Sequence, residues 1–139
     1  MLLRGAVRRA IEAHARRDHP NECCGLLIGN ATTILEAVAC PNVAQDPRRR
    51  YQIAPEDFFA QITRCRSAAE SVRIVGAYHS HPRSAPEPSP TDAAEAFAGF
   101  LYVIAGPADG SSPMTMLAYE LVDGELQPAT LGSDSSVAN

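Results

Sequence analysis

The stretch Tyr78-His79-Ser80-His81-Pro82 decides how the rest of the chain is interpreted. The residues that lead into it, 72–79, are mostly β-branched or apolar, which predicts a strand. Side chains alternate between the two faces of a strand, so His79 and His81 point the same way. Pro82 then stops the strand from continuing inside a sheet. The two imidazoles are therefore expected to form a pair of nitrogen ligands for a divalent metal at a strand end.

A helix start follows at Ser89-Pro90-Thr91-Asp92. Ser89 suits the N-cap, Pro90 suits the first helical position, and Asp92 falls in the first turn. One interpretation is that Ser89 and Asp92 only cap this helix. The other is that the chain folds back, so that Asp92 supplies an oxygen ligand beside the two histidines. Structural caps do not need two neighbouring histidines, which favours the second interpretation.

The spacing His79-x-His81-x7-Ser89-x-x-Asp92, with Glu22 upstream, resembles the signature of the JAMM/MPN+ zinc metalloproteases. The run Glu22-Cys23-Cys24-Gly25-Leu26-Leu27-Ile28-Gly29 is similar to the first strand of that family and the glutamate before it. The resemblance extends over residues 18–105. The compact chain is most similar to the small prokaryotic members.

This resemblance implies a fold and a site. The implied fold is α+β: a curved mixed β-sheet flanked by helices, the JAMM/MPN architecture that is also deaminase-like. The implied cofactor is one zinc ion held by His79, His81 and Asp92, with water as the fourth ligand. Glu22 takes the position of the general base, and Ser89 that of a hydrogen-bond donor to the oxyanion.

The resemblance also implies a substrate class. Small prokaryotic members of the family act on ubiquitin-like β-grasp proteins, including sulfur carriers, and hydrolyse the amide or isopeptide bond after a C-terminal Gly-Gly. We therefore expect a zinc metallopeptidase whose partner is such a carrier. The sequence leaves the carrier, the released group and the formation of a homodimer open.

Other functions remain as alternatives. Two histidines and a carboxylate also describe the non-haem iron oxygenases, although those usually carry the acid between the histidines. A catalytically silent MPN-type binding module would fit if the complete site were unused, and Glu22 would then be an ordinary exposed acid. A cytidine-type deaminase needs a P-C-x-x-C element, which this sequence lacks.

The composition predicts one soluble globular domain. The chain has 139 residues, 45% hydrophobic and 20% charged, which suffices for a real core. We expect the domain to span residues 1–131 and residues 132–139 to form a disordered tail. No apolar run is long enough for a membrane span, and the N-terminus does not resemble a signal peptide. The net charge of −4 argues against nucleic-acid binding.

The cysteines and arginines give weaker indications. The four cysteines form no C-x-x-C pair, which disfavours a cysteine zinc site and fits a reduced cytoplasmic setting. Of the neighbours Cys23 and Cys24, we expect one buried and one outward side chain. The run Arg48-Arg49-Arg50 is either a solvated loop or a docking surface for an acidic partner.

Periodicity predicts the remaining elements. Apolar residues at helical spacing indicate an amphipathic helix over residues 2–15, with His14 and His19 in surface or packing roles. Pro55 opens a second helix, and Asp123-Gly124 is the turn of a hairpin. The other predicted elements are strands at 25–29, 32–40, 51–53 and 100–105, a helix at 90–99, and hairpin strands at 114–122 and 125–130.

Overall fold

The computed structural model describes residues 1–134, which form three helices and eight strands. The strands are β1 (Leu2–Leu3), β2 (Cys24–Gly29), β3 (Thr33–Cys40), β4 (Arg73–Ser80), β5 (Leu101–Gly106), β6 (Thr115–Val122), β7 (Glu125–Ala129) and β8 (Gly132–Ser133). The helices are α1 (Gly5–Asp18), α2 (Pro55–Arg66) and α3 (Pro90–Glu95).

All eight strands belong to one curved mixed sheet in the order β7-β6-β5-β4-β2-β3-β1-β8. Strand β4 lies inside it, antiparallel to β2 and parallel to β5. Its last six residues are buried, which explains why this segment is almost continuously apolar. The α+β prediction is confirmed, and the two histidines lie at the end of a strand that is paired on both sides.

Gly76 permits the pairing that places β4. A Cβ atom at this position would overlap the carbonyl oxygen of Leu101 on β5, so no other residue fits without moving a backbone. The helices cover the sheet around two apolar clusters. Helix α1 contributes Val7 and Ile11 to the larger cluster, whereas Phe58 of α2 packs against the smaller one.

The first helix begins three residues later than predicted. Leu2 and Leu3 pair with β3 and β8, and the Leu2 N–H donates to the Thr32 carbonyl at 2.8 Å. This pairing makes Leu2 and Leu3 part of the sheet, although the apolar residues here have the spacing of the helix that follows. Helix α1 therefore begins at Gly5 and continues to Asp18, beyond the predicted end at residue 15.

Two further predicted elements differ from the structure. Residues 51–53 form no strand: Gln52 makes single hydrogen bonds to Val43 and Asn42 rather than a ladder. Helix α3 ends at Glu95 instead of residue 99, because Ala96 is extended and the Phe97 N–H donates to the Tyr102 hydroxyl. The remaining strands and both hairpins are confirmed within one or two residues.

The expected tail is wrong for its first residues. Gly132 and Ser133 form β8, and the Asp134 carboxylate accepts a hydrogen bond from the Gly5 N–H at 2.6 Å. Residues 135–139 lie outside the described residues.

The expectation for the vicinal cysteines is also wrong, because Cys23 and Cys24 are both fully buried. Within residues 1–134, no helix combines the length and apolar character that a membrane crossing requires.

Candidate active site

The two histidines and the aspartate converge at the end of β4. One ligand atom from each of His79, His81 and Asp92 lies within 4.8 Å of the others. Nε2 of His79 is 3.3 Å from Oδ1 of Asp92, and Nε2 of His81 is 3.4 Å from Oδ2. Alternation along β4 explains the shared direction of the histidines, and the return of the chain into α3 brings the carboxylate. The spacing therefore predicted a cluster that the fold assembles.

The imidazole nitrogens are oriented as metal ligands. Nδ1 of His81 is 2.9 Å from the Ala85 carbonyl oxygen, which can only accept, so Nδ1 carries the proton, and in the neutral ring Nε2 presents its lone pair. Both ring nitrogens of His79 are buried without a hydrogen-bond partner in residues 1–134. Burial lowers the pKa of His79, which favours the neutral, metal-binding form. Orphaned buried nitrogens of this kind fit a metal ion.

Asp92 combines the two roles that the sequence left open. The Ser89 N–H donates to Oδ2 of Asp92 at 2.9 Å, and the Asp92 N–H donates to Oγ of Ser89 at 3.0 Å, a complete capping box. The cap holds the carboxylate in place, while the two imidazoles face its oxygens. Burial alone would raise the pKa of Asp92, but its contacts with His79 and His81 outweigh burial and lower it, so the carboxylate is ionised.

Glu22 is buried and unpaired. Its residue exposure is 6%, and Oε1 has no hydrogen-bond partner among the described residues. Burial, reinforced by the nearby Asp92 and Asp46 charges and opposed by His81, raises the pKa of Glu22 to about 8. A carboxyl group with a pKa near neutrality can accept and return a proton at physiological pH, as a general base requires.

Glu22, His81 and Ser89 line one cavity of about 440 Å³. The Ser89 Oγ already accepts the Asp92 N–H, so its own hydroxyl proton is free to be donated elsewhere. All five residues singled out in the sequence thus lie in or beside one cleft. Their catalytic roles remain predictions.

Sequence reasoning missed three contributors to this site. The Tyr51 ring stacks on His79, with centroids 4.4 Å apart and planes at 19°. The Asn42 side chain donates to the carbonyls of Glu22 and Arg50, each at 3.0 Å. The Ser80 hydroxyl, between the two histidines but fully buried, accepts the Cys23 N–H at 2.8 Å. These contacts join segments that are distant in the sequence, so no local pattern indicates Tyr51 or Asn42. Ser80 alone had a sequence signal, because alternation along β4 points it to the face opposite the histidines.

A second depression adjoins the site on the Tyr51 side. It encloses about 460 Å³ and is mainly apolar, with Tyr51, Ile53, Phe58, Phe97, Phe100 and Tyr102 among its lining residues. It shares no lining residue with the cavity of Glu22. The site therefore opens towards two chemically different surfaces.

Solved structures identify the fold. The chain is similar to a protein of Desulfitobacterium hafniense, with a TM-score of 0.82, 22% identity and coverage of 96% of this chain and 93% of that one. It is also similar to the structure described as "JAMM: A Metalloprotease-like Zinc Site in the Proteasome and Signalosome", with a TM-score of 0.57, 20% identity and coverage of 95% and 94%. The fold, together with the His79, His81 and Asp92 cluster, defines a JAMM-type domain.

Sequence comparison identifies the family. The model for prokaryotic homologs of the JAB domain matches residues 5–120. The "Desampylase" of Haloferax volcanii is 39% identical over 77% of this chain and 81% of its own length. The "CysO-cysteine peptidase" of Mycobacterium tuberculosis is 30% identical over 66% of this chain and 62% of its own length. The chain belongs to the family of prokaryotic homologs of the JAB domain, and it is a hydrolase of the JAMM type.

Proposed function

We propose that this protein is a zinc-dependent metallopeptidase that hydrolyses the amide bond after the C-terminal Gly-Gly of a ubiquitin-like β-grasp protein of the sulfur-carrier type. One observation carries the proposal. Three metal-ligating side chains converge, and a buried, unpaired Glu22 lines the same cavity as one of them, His81. A structural metal site would not require the unpaired acid, whereas hydrolysis by an activated water does.

The relatives support the substrate class. One is named a desampylase and the other a CysO-cysteine peptidase, and we take these names to favour a ubiquitin-like or sulfur-carrier protein as the substrate. We extend the substrate class to this chain because the chain aligns with most of the length of the first relative. The cytoplasmic setting and the formation of a homodimer stay predictions.

The donor set fits zinc, whose catalytic sites have three protein ligands, such as two imidazoles and a carboxylate, with the fourth position left open. When bound by His79, His81 and Asp92, zinc would supply Lewis-acid activation of water and of the scissile carbonyl. Glu22 takes the proton of the attacking water on its carboxylate and later delivers it to the leaving nitrogen. The Ser89 hydroxyl donates a hydrogen bond to the oxygen on which negative charge develops. The Ala85 carbonyl keeps the His81 ring in the required tautomer.

Cleavage of a defined substrate tests the proposal. A β-grasp protein ending in Gly-Gly and extended by one residue is incubated with the zinc-loaded protein, and mass spectrometry measures the loss of the extension. Glu22→Gln is expected to reduce the rate at least about a thousandfold, because the amide cannot accept the proton. His79→Ala should abolish both stoichiometric zinc binding and cleavage.

Controls separate catalysis from folding. Glu70→Gln makes the same chemical change on the exposed surface and should leave cleavage unchanged. Circular dichroism should show that Glu22→Gln and His79→Ala remain folded. An active Glu22→Gln enzyme would remove Glu22 from the mechanism. A natively folded wild-type chain that binds no zinc would favour a silent binding module, and stoichiometric iron would favour an oxygenase.

A further inference from the structure

Three arginines share the cavity of the proposed general base. Arg48 and Arg49, from the segment between β3 and α2, and Arg83, from the segment after β4, line the same cavity as Glu22 and His81. We refer to Arg48, Arg49 and Arg83 as the arginine pocket. The two segments are far apart in the sequence, so the fold concentrates positive charge at this place in a chain whose net charge is −4.

Most of this charge is not neutralised by the protein itself. Arg49 lies 3.8 Å from the Asp46 carboxylate in an exposed ion pair, a geometry that contributes little. Within residues 1–134, Arg48 and Arg83 make no ion pair. Guanidinium groups that line a cavity without forming an ion pair are available for an anionic ligand, and their planar geometry suits a carboxylate in particular.

The backbones that carry the arginines are fixed to the site. The Glu22 N–H donates to the Pro47 carbonyl at 2.7 Å, immediately before Arg48. The Asn42 amide links the Glu22 and Arg50 carbonyls, each at 3.0 Å. Arg83 directly follows Pro82, whose carbonyl accepts the Ala108 N–H at 3.1 Å. The arginine pocket is therefore held beside Glu22 and is not a freely moving loop.

The chemistry of the cleavage decides which part of a substrate meets these arginines. The acid that protonates the leaving nitrogen must lie within hydrogen-bond reach of it, so the leaving group occupies the cavity that Glu22 lines. The apolar depression beside Tyr51 is separate and is left for the rest of the substrate. The arginine pocket is on the leaving-group side of the scissile bond.

We propose, resting on the peptidase function above, that the arginine pocket binds the α-carboxylate of a single amino acid that is released from the carrier's C-terminus. Hydrolysis breaks the amide C–N bond: the carbonyl carbon gains the hydroxyl of water, and the nitrogen leaves with the proton. The released amino acid carries its carboxylate next to that nitrogen. A lysine side chain in an isopeptide bond offers no carboxylate there, so the pocket selects terminal extensions over isopeptide conjugates.

Two matched substrates test this specificity. The same Gly-Gly-ended β-grasp protein is extended by one alanine, either with a free carboxylate or as the terminal amide. The zinc-loaded wild type is expected to cleave the free acid at least about tenfold more efficiently, mainly through a lower KM, because the contact forms in the bound ground state. The preference should weaken as salt rises, since the arginines are exposed.

Variants assign the preference to the pocket. The double variant Arg48→Gln/Arg83→Gln should lose the preference, so that the ratio of its efficiencies on the acid and on the amide falls to about one. Arg50→Gln is the matched control, because Arg50 belongs to the same run but does not line the cavity. It should retain the wild-type preference.

The possible outcomes separate this inference from the function on which it rests. Equal cleavage of acid and amide by the wild type, or an unchanged preference in the double variant, would overturn the carboxylate subsite and leave the peptidase intact. A third substrate, extended by an amidated aspartate, should be cleaved as slowly as the alanine amide. Full activity on it would overturn the assignment to the α-carboxylate. Failure to cleave any of the substrates would instead contradict the peptidase function itself.

Discussion

At the scale of single residues, Glu22 links stability and chemistry. Among the described residues 1–134, the buried Glu22 carboxyl group has no partner, at a position where a neutral side chain would cost less. Proteins retain such groups where function needs them, and the raised pKa is the physical sign of the cost. The same property gives a prediction that does not depend on any substrate.

The free energy of unfolding of the metal-free protein should fall as pH rises from about 4.5 to about 8. The carboxyl group of Glu22 ionises near 4.5 in the unfolded chain but near 8 in the folded one. Between these values the unfolded state binds fewer protons, so rising pH favours unfolding. Glu22→Gln removes this contribution and should gain stability relative to the wild type across that window, on the order of 3 kcal/mol at its upper end.

Urea denaturation of chelator-treated protein at several pH values measures this difference. The exposed Glu70→Gln variant is the control and should follow the wild-type pH profile. A Glu22→Gln variant whose stability relative to the wild type does not change with pH would show that Glu22 is ionised in the folded apoprotein.

Tyr51 offers a second test at this scale. Its ring covers one face of His79, so its removal should leave the imidazole free to turn and expose it to water. We expect Tyr51→Ala to weaken zinc binding about tenfold, as removal of groups that orient metal ligands does. Tyr51→Phe keeps the ring and should bind zinc within about twofold of the wild type. Competition with a chromophoric chelator measures both, and equal affinities for the three proteins would argue against an orienting role.

At the scale of elements, the sequence was most informative where one local rule determined the outcome. Alternation on β4 and the helix-start residues of α3 predicted three convergent ligand side chains without any long-range information. Glu22 needed the family resemblance, because a lone glutamate before a strand is usually exposed. The elements that failed were each overridden by a partner that no local pattern indicates. Leu2 bonds to Thr32 in another strand. The partner of Phe97 is only five residues away, but it is the Tyr102 side-chain hydroxyl, which apolar periodicity does not reveal.

Gly76 allows β4 and β5 to pair, so a substitution at this position tests how much this pairing contributes to stability. Gly76→Ala would place a methyl group on the Leu101 carbonyl oxygen and force the two backbones apart. We expect a loss of at least about 3 kcal/mol in the free energy of unfolding, at the upper end for overpacking because the obstacle is backbone. Weakened zinc binding should accompany it, since His79 and His81 are positioned by the end of the same strand.

Gly132→Ala is a suitable comparison for this substitution. Gly132 is also a strand glycine, but a Cβ there would meet only ordinary contacts at 3.7 Å and beyond. Its stability should stay within about 0.5 kcal/mol of the wild type. Chemical denaturation of both variants would decide, and a Gly76→Ala protein of normal stability would mean that β4 and β5 can separate without loss.

At the scale of the whole molecule, the two ends of the described chain hold each other. Strand β1 lies between β3 and β8, so the sheet at this edge is completed by residues more than a hundred positions apart. The Gly132 N–H donates to the Met1 carbonyl at 2.9 Å. The Asp134 carboxylate meets the first N–H of α1, where the helix dipole favours negative charge. Asp134, directly after β8, thus acts as the cap that α1 lacks locally, since Arg4 provides no side-chain cap.

Truncation measures how much the β1–β8 pairing and the Asp134 cap contribute to the stability of the domain. A protein ending after Leu131 loses β8 and the Asp134 cap, and its free energy of unfolding should fall by about 2 kcal/mol. A protein ending after Asp134 keeps both and is the reference for the shorter protein in urea denaturation. Because β2 and β3 separate β4, at whose end the two histidines lie, from this edge of the sheet, the shorter protein should still bind zinc when folded. Identical denaturation midpoints for the two truncated proteins would show that β1 and α1 are held without the C-terminal residues, and that the domain ends at residue 131 as its composition suggested.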